Sequence, residues 1–315
     1  MENVLVGMAM ILLSIICLLA NGAVLITIAI NSEFRMHSSY KLMFLMGVFD
    51  VAQLIVHLIT AIFTLINYEA SYAIYTILGT VISPSYECYI FVSVVLAFDR
   101  FVLLCCSRAE QLLFSPMGNK IWMASTFVIY IGFASIHASN KVYTFYSITK
   151  YCWAYDYSHP WSKIRQNIIM YYQVIGIFIA WCYYIAITIH LLRYRTQMAS
   201  FARFKANRKI LFQAFVITVY CTVQYIVWHK IDVNCAVDLL QIMMSLKVIV
   251  PKENQMIAFA LNMMWIGNEG LSPLLCIALN KTIRNKIFNF VQRKKIPNTS
   301  VLAIDFKKSS NSIHK

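Results

Sequence analysis

The sequence predicts an all-α membrane protein: a seven-transmembrane helix bundle followed by a short amphipathic helix. Hydrophobic residues make up 60% of the 315 residues, whereas soluble domains contain about 45–50%. Charged residues make up only 13%, about half of the usual ~25%. Seven apolar stretches reach the roughly 20 residues that a helix needs to cross a bilayer. We expect helices because a helix satisfies all its own backbone hydrogen bonds in lipid.

The seven spans follow one another with short connecting loops. They are predicted at residues 4–30, 41–66, 72–105, 120–139, 167–192, 209–230 and 255–279. The third is longer than a perpendicular helix requires, so we expect it to be tilted, and Pro84 within it should kink it. Segment 233–250 is also apolar, but it contains Asp238 and Lys247. Each charge would cost about 2.5–3.5 kcal/mol near mid-bilayer, so we predict an outer interfacial helix there instead of an eighth span.

An amphipathic helix is predicted directly after the seventh span. Its apolar face has the spacing i, i+4, i+7 and i+8, given by Ile283, Ile287, Phe290 and Val291. Basic residues occupy the rest of the helix, which suits the anionic inner leaflet of a membrane. The chain therefore divides into a membrane domain at 1–291 and a basic, disordered tail at 292–315.

The basic residues predict the orientation of the chain in the membrane. Most of them lie in or beside loops 31–40, 106–119 and 193–208 and in the tail, which all fall on one side. The positive-inside rule then places the N-terminus outside and the tail in the cytoplasm. Because the basic clusters flank apolar spans, the net charge of +14 indicates a lipid surface and argues against a nucleic-acid partner.

Asp99 and Arg100 form a charged pair at the inner end of the third span. Ionisable groups at that depth are costly unless they face protein or water, so they are functional candidates. The pair is either a switch or a helix-end ion pair that sets the depth of the span. The sixth span carries Arg208 and Lys209 at its inner end and no acid, so an ion-pair lock between Arg100 and this span is not expected.

A second group of polar residues lies in the middle of spans one, two and seven. Its members are Asn21, Asp50, Asn268, Glu269 and Ser272. Two neighbouring carboxylates cannot both ionise cheaply, so one takes up a proton or a cation lies between them. Three interpretations stay open: a conformational switch, a sodium ion between the carboxylates, and a water-filled network that only holds the helices together.

The candidates for a ligand pocket lie nearer the outer half of the spans. They are Glu87, Tyr171, Tyr172, Trp228 and Trp265. Glu87 precedes Arg100 by 13 residues, which is roughly 20 Å along a helix. It contacts a ligand or water, or it pairs with a neighbouring helix. The aromatic residues are more typical of an interfacial belt than of a pocket.

No pattern in the chain indicates an enzyme. The histidines and cysteines lack metal-ligand spacing, and no Gly-rich phosphate loop or Gly-x-Ser-x-Gly is present. We therefore expect no catalytic residues, cofactor or metal. Of the nine cysteines, only Cys152 and Cys235 fall in predicted outer loops. One disulfide at most can form there, between these two residues.

These features together resemble the rhodopsin-like G-protein-coupled receptors. The matching elements, in order, are Asn21-Gly22, Asp50, Asp99-Arg100, Ser272-Pro273 and the helix at 280–291. Finer details are similar to the nematode serpentine chemoreceptors, and to class T among them. They are the segments 49–57 (FDVAQLIVH), 82–86 (ISPSY), 96–101 (LAFDRF) and 279–284 (LNKTIR).

Several positions depart from the general receptor pattern. Tyr75 stands where a disulfide-forming Cys is usual, Ser272 replaces the Asn before the Pro of span seven, and Cys276 replaces the Tyr after it. Ile82 stands where an amine receptor would have Asp. No Lys lies in 255–279, where an opsin would need one for retinal.

The resemblance implies a chemosensory receptor in the plasma membrane, with a sensory-neuron cilium as its expected location. Its implied partners are a small chemical or pheromone-like ligand outside and a heterotrimeric G protein inside, which Arg100 would engage. An orphan peptide or hormone receptor of the same fold is one alternative. A transporter or ligand-gated channel is another, although seven unequal spans lack the internal repeats usual in transporters.

Overall fold

A computed structural model describes residues 2–193, 201–232 and 255–292. These ranges contain ten helices and one β-hairpin. The helices are α1 (Glu2–Ile30), α2 (Ser32–Met36), α3 (Ser38–Leu65), α4 (Tyr72–Cys105), α5 (Ser107–Leu113), α6 (Pro116–Ala138), α7 (Ser162–Arg193), α8 (Phe201–Asp232), α9 (Gln255–Leu279) and α10 (Lys281–Val291). The strands are β1 (Thr144–Ser147) and β2 (Cys152–Tyr155). The predicted outer helix at 233–250 and the tail beyond residue 292 lie outside the described residues.

Seven of the helices are the predicted spans, so the seven-helix bundle is confirmed. Among the described residues, α1, α3, α4, α6 and α7 are long and apolar enough to cross a membrane. Helix α8 contains the shorter apolar segment Phe215–Trp228. Helix α9 is 25 residues long and buries polar side chains, Asn262 and Glu269 among them. These side chains lower the hydropathy of α9, and they are tolerated in a membrane span because they face protein and not lipid.

Three helices begin more than a turn before their predicted starts. Helix α7 begins at Ser162 and not at 167, so Arg165 lies inside it. Helix α8 begins at Phe201 and not at 209. Hydropathy locates the apolar part of a helix and misses the polar turns that extend beyond it. Helix α6 also begins early, at Pro116, where the Ser115 side chain accepts a hydrogen bond from the Gly118 N–H and caps the first turn.

Helix α4 is the central helix of the bundle. It packs against α3 on one side and against α6 and α7 on the other. Helix α1 packs between α3 and α9, and α8 packs between α9 and α7. Most of the side chains of α6 and α7 are not buried by protein. Residues on α4 are therefore the ones that can contact most other helices at once.

The β-hairpin covers one end of the bundle, which we call the hairpin end. Its antiparallel strands pair Thr144 with Tyr155 and Ser147 with Cys152. Tyr146 and Trp153 are buried against the helices, and the Tyr146 hydroxyl lies 2.9 Å from Thr64 Oγ1 on α3. The sequence did not predict this hairpin, because strands of four residues carry too short a pattern.

Helix α10 lies at the opposite end, which we call the Arg100 end. Asn280 caps it by accepting hydrogen bonds from the N–H groups of Thr282 and Ile283. Ile283 is fully buried against residues of α1, α2 and α9. Lys286 pairs with Glu33 of α2 at 3.0 Å. The predicted amphipathic helix is therefore confirmed, and it packs onto the bundle through the start of its apolar face.

Candidate functional site

Asp99 and Arg100 make different contacts at the end of α4. Asp99 is fully buried and accepts hydrogen bonds from the hydroxyls of Ser38, at 2.5 Å, and Ser39 in the first turn of α3. Arg100 is half-buried and lines a cavity. No ion pair joins Arg100 to an acidic side chain in the part of the chain that the structure describes. Two hydroxyls satisfy the aspartate, and the positive charge of Arg100 is left for another partner.

The cavity runs through the Arg100 half of the bundle, between α3, α4, α7, α8 and α9. It contains ≈ 890 Å³ of empty space, including the part open to solvent. Helix α4 contributes one face, whose residues are Tyr86, Tyr89, Ile90, Ser93, Leu96 and Arg100. Arg100 is the only charged side chain among the described residues that line the cavity. A ligand here would meet mostly apolar walls and a single positive charge.

The predicted polar cluster forms where α1, α3 and α9 meet. Glu269 lies 3.2 Å from Nε2 of His57, and both side chains are buried. The amide of Asn21 donates to the backbone carbonyl of Glu269 at 2.9 Å. Asp50 is 1% exposed and close enough to Glu269 for their charges to interact. The structure thus brings the two carboxylates together, as predicted, and adds a histidine that the sequence did not suggest.

The two remaining members of the cluster face α8. The Sγ atom of Cys221 donates to Asn268 Oδ1 at 3.4 Å, and Gln213 donates to the backbone carbonyl of Ser272 at 3.4 Å. Both Asn268 and Ser272 also line the cavity. The polar cluster is therefore continuous with the cavity wall, so a rearrangement of α8 would change both.

An aromatic group lies above the cavity, around Trp265 of α9. Its indole N–H donates to Gln53 Oε1 at 3.1 Å. Its ring contacts the rings of His57, Tyr86 and Trp228, with centroids 5.1, 5.3 and 5.8 Å away. Because Tyr86 also lines the cavity, this group links the polar cluster to the cavity through direct contacts.

Glu87 forms a buried ion pair with Arg165 of α7. An Arg165 N–H donates to Oε1 of Glu87, which also accepts from the Ser83 hydroxyl at 3.0 Å. The guanidinium lies 4.4 Å from the Phe133 ring centroid on α6, a favourable cation–π distance. Tyr155 of the hairpin lies beside the pair, and burial raises the pKa of this tyrosine to about 12. Of the two alternatives for Glu87, the pairing with a neighbouring helix is the one found.

The five predicted pocket residues do not form a single wall. Tyr172 accompanies Glu87, since its hydroxyl donates to the Glu87 backbone carbonyl at 3.2 Å. Trp228 and Trp265 pack edge-to-face on the other side of α4. Tyr171 joins neither group: its side chain is 61% exposed, because neighbouring residues of a helix point in different directions. The structure therefore does not bring Tyr171 together with the other four residues, and its assignment to the pocket stays a prediction.

The predicted disulfide between Cys152 and Cys235 stays a prediction, because Cys235 lies outside the described residues. Other contacts attach the hairpin to α4. Tyr75, which stands where a cysteine is usual, is buried and packs edge-on against Trp153, next to Cys152. Gly79, one turn further, lies so close to Thr144 that an added Cβ would overlap its Oγ1 atom. The contact of Tyr75 with Trp153 and the close packing of Gly79 on Thr144 thus attach the hairpin to α4, where a disulfide is usual in the general receptor pattern.

The comparison with known families decides what this arrangement belongs to. The sequence matches the family described as serpentine type 7TM GPCR chemoreceptor Srt over residues 1–300. The chain belongs to the Srt family. No curated protein matches it.

Membership of the Srt family confirms the resemblance to the nematode serpentine chemoreceptors. The chain is a multi-pass membrane protein of a chemosensory receptor family, and that family is one of receptors and not of enzymes.

Three buried residues of this Srt chain contact predicted site residues but were not predicted from the sequence themselves. His57 and Gln53 lie seven and three residues after Asp50 on α3, so helical periodicity would have placed both on the face of Asp50. Arg165 lies just before the predicted span at 167–192, although it is only 2% exposed. The signal for it was the unpaired Glu87, since a buried carboxylate needs a compensating partner.

Proposed function

We propose that the protein detects a small chemical at the hairpin end and activates a heterotrimeric G protein at the Arg100 end. The single observation that carries this proposal is Arg100 itself. It lies on a cavity at the end of the bundle, and Asp99 beside it is held by Ser38 and Ser39. Family membership supports the chemosensory part of the proposal.

Arg100 has the chemistry that a coupling residue needs. A guanidinium is always charged and presents several N–H donors in a fixed fork. The last carbonyls of any helix have no partner within that helix and carry partial negative charge. An inserted C-terminal helix of a G protein would bring such carbonyls to Arg100. The proposal requires the cavity to widen, and α8 is the wall whose displacement would widen it.

The ligand end connects to Arg100 through α4. Trp265 contacts Tyr86, and Tyr86 lines the same cavity as Arg100. We propose that a ligand acts on the group of Trp228 and Trp265 or on the pair of Glu87 and Arg165. Both groups contact α4, the central helix, so a ligand at either group would shift α4 and move Arg100 with it. A ligand shifts such an equilibrium only by its difference in affinity for the two states.

The experiment is a ligand screen in heterologous cells that express the chain with a promiscuous G protein. Arg100→Ala should abolish the response to a ligand found in this way and leave its binding largely unchanged. Lys163→Ala, which changes an exposed basic residue at the hairpin end, is the matched control and should respond as the wild type does. A normal response from Arg100→Ala at equal surface expression would refute the coupling role of Arg100.

A further inference from the structure

The cavity in the Arg100 half of the bundle extends from Arg100 into the interior along α4. Its ≈ 890 Å³ of empty space includes the part open to solvent. From Tyr86 to Arg100 it follows α4 for 14 residues, which is roughly 20 Å of helix. The cavity is therefore long and narrow in proportion.

The two ends of the cavity differ in charge. Arg100 is at the open end, and Asp99 does not neutralise it, because this carboxylate bonds to Ser38 and Ser39. Among the described residues no charged side chain lines the inner end, where Tyr89 and Cys221 form part of the wall. An anion is therefore attracted to the Arg100 end of the cavity.

The walls between these ends are mainly apolar. Ile90 and Leu96 of α4 face Ile177 of α7 and Ile217 of α8 across the cavity. The Ser93 hydroxyl is turned away from an apolar guest, since it bonds to the Ile90 backbone carbonyl at 2.7 Å. A guest would thus gain from burying apolar surface along its length and from one charged contact at Arg100.

We propose that this cavity binds a single-chain amphiphilic carboxylate, with its head on Arg100 and its hydrocarbon chain directed towards Tyr86. A carboxylate matches the guanidinium fork with two parallel hydrogen bonds. The bound molecule neutralises Arg100 and occupies the space that a G-protein helix would enter. It therefore holds the receptor at rest. The binding itself does not depend on the proposed function, whereas its effect on coupling rests on it.

The test is equilibrium binding of radiolabelled dodecanoate to the full chain in phosphatidylcholine nanodiscs, with empty nanodiscs as background. We expect saturable binding that unlabelled dodecanoate displaces and that methyl dodecanoate and dodecylamine do not. Arg100→Ala should weaken it about 10-fold or more, because a charge-assisted hydrogen bond is lost. Equal displacement by the methyl ester, or equal binding by Arg100→Ala, would show simple partitioning into lipid and overturn the proposal.

A second variant separates the cavity from the charge. Ser93→Phe fills the cavity and keeps Arg100, so it should remove the binding. Ser135→Phe makes the same substitution at an exposed position of α6 and should bind as the wild type does. The two variants must show the same thermal unfolding, which controls for misfolding. Undiminished binding by a folded Ser93→Phe variant would place the ligand elsewhere and refute the site.

The carboxylate could come from a free fatty acid or from the headgroup of phosphatidylserine, and further arms distinguish these sources. Nanodiscs with added phosphatidylserine should leave dodecanoate binding unchanged if the free acid is the ligand. Displacement by phosphatidylserine, absent in Arg100→Ala, would support the carboxylate contact with Arg100 and overturn the assignment to a single-chain ligand. A receptor that binds dodecanoate but activates no G protein in response to an agonist even after the dodecanoate is removed would refute the proposed coupling and leave this site standing.

Discussion

Three buried acidic side chains among the described residues lie against different kinds of partner. Asp99 accepts from two hydroxyls, Glu269 lies against His57, and Glu87 pairs with Arg165. A buried charge that loses its partner is far more costly than the pair is worth, because desolvation is then uncompensated. Each of these groups is therefore a position where a single substitution has a large effect and a paired substitution has a small one.

The pair of Glu87 and Arg165 offers the clearest test of this asymmetry. Arg165→Met should leave Glu87 buried and unpaired, and destabilise the protein by about 3–5 kcal/mol. Adding Glu87→Gln should recover most of that loss. The measurement is the apparent thermal unfolding temperature of the purified protein in detergent. Lys163→Met, two residues before Arg165 and exposed, is the control and should unfold as the wild type does. Equal loss in the single and double variants would mean that the unpaired Glu87 carboxylate is not the cause of the destabilisation.

The polar cluster makes a prediction about signalling. Asp50→Asn removes one of two carboxylates that share a buried site, so it relieves their repulsion and shifts the balance of resting and active states. We expect a weaker response to agonist at near-normal surface expression. Glu269→Gln should shift the balance of resting and active states as well, because this substitution also weakens the contact with His57. Dose–response curves of both variants that coincide with that of the wild type would reduce the cluster to a structural network.

At the scale of elements, the hairpin shows how packing takes the place of a covalent link. Strand β1 approaches α4 at Gly79, and β2 presents Trp153 to Tyr75. The Tyr146 hydroxyl adds a contact to Thr64 of α3. Interdigitated contacts of this kind tolerate little added volume, because protein interiors are already close-packed. The hairpin should therefore be sensitive to single methyl groups at the contact.

Gly79→Ala tests the close approach directly. The new Cβ would overlap Oγ1 of Thr144, so we expect a destabilisation of roughly 1–3 kcal/mol by overpacking. Thr144→Ala removes the overlapping atom and should restore stability in the double variant. Gly132→Ala on α6, whose Cβ would meet no atom within 4 Å, is the matched control. Faster proteolysis within residues 140–161 should accompany the single variant, and its absence would show that Gly79 does not limit the docking of the hairpin.

At the scale of the whole molecule, the sequence predicted the bundle and missed the contacts between distant segments. Long apolar runs identify helices in a membrane protein because length and hydropathy are local properties. The pair of Glu87 and Arg165 spans 78 residues, and no local pattern encodes it. The hairpin was missed for the same reason, since its four-residue strands are stabilised by docking. The cluster of Asn21, Asp50 and Glu269 was predicted because all three are polar residues within apolar spans.

The two ends of the molecule should face opposite sides of the membrane. The Tyr151 hydroxyl of the hairpin region donates to Asn3 at 2.5 Å, so α1 begins at the hairpin end. Lys286 and Glu33 place α10 at the Arg100 end, where the basic loops lie. Basic residues stay cytoplasmic, because loops rich in them are retained on that side during insertion.

An epitope at Glu2 should therefore stain in intact cells, and one after Lys315 only after permeabilisation. An additional epitope after Glu69, in the exposed connection of α3 and α4, should stain as the Glu2 epitope does. Staining of the Lys315 epitope in intact cells would require an even number of spans, and segment 233–250 would then have to cross the membrane.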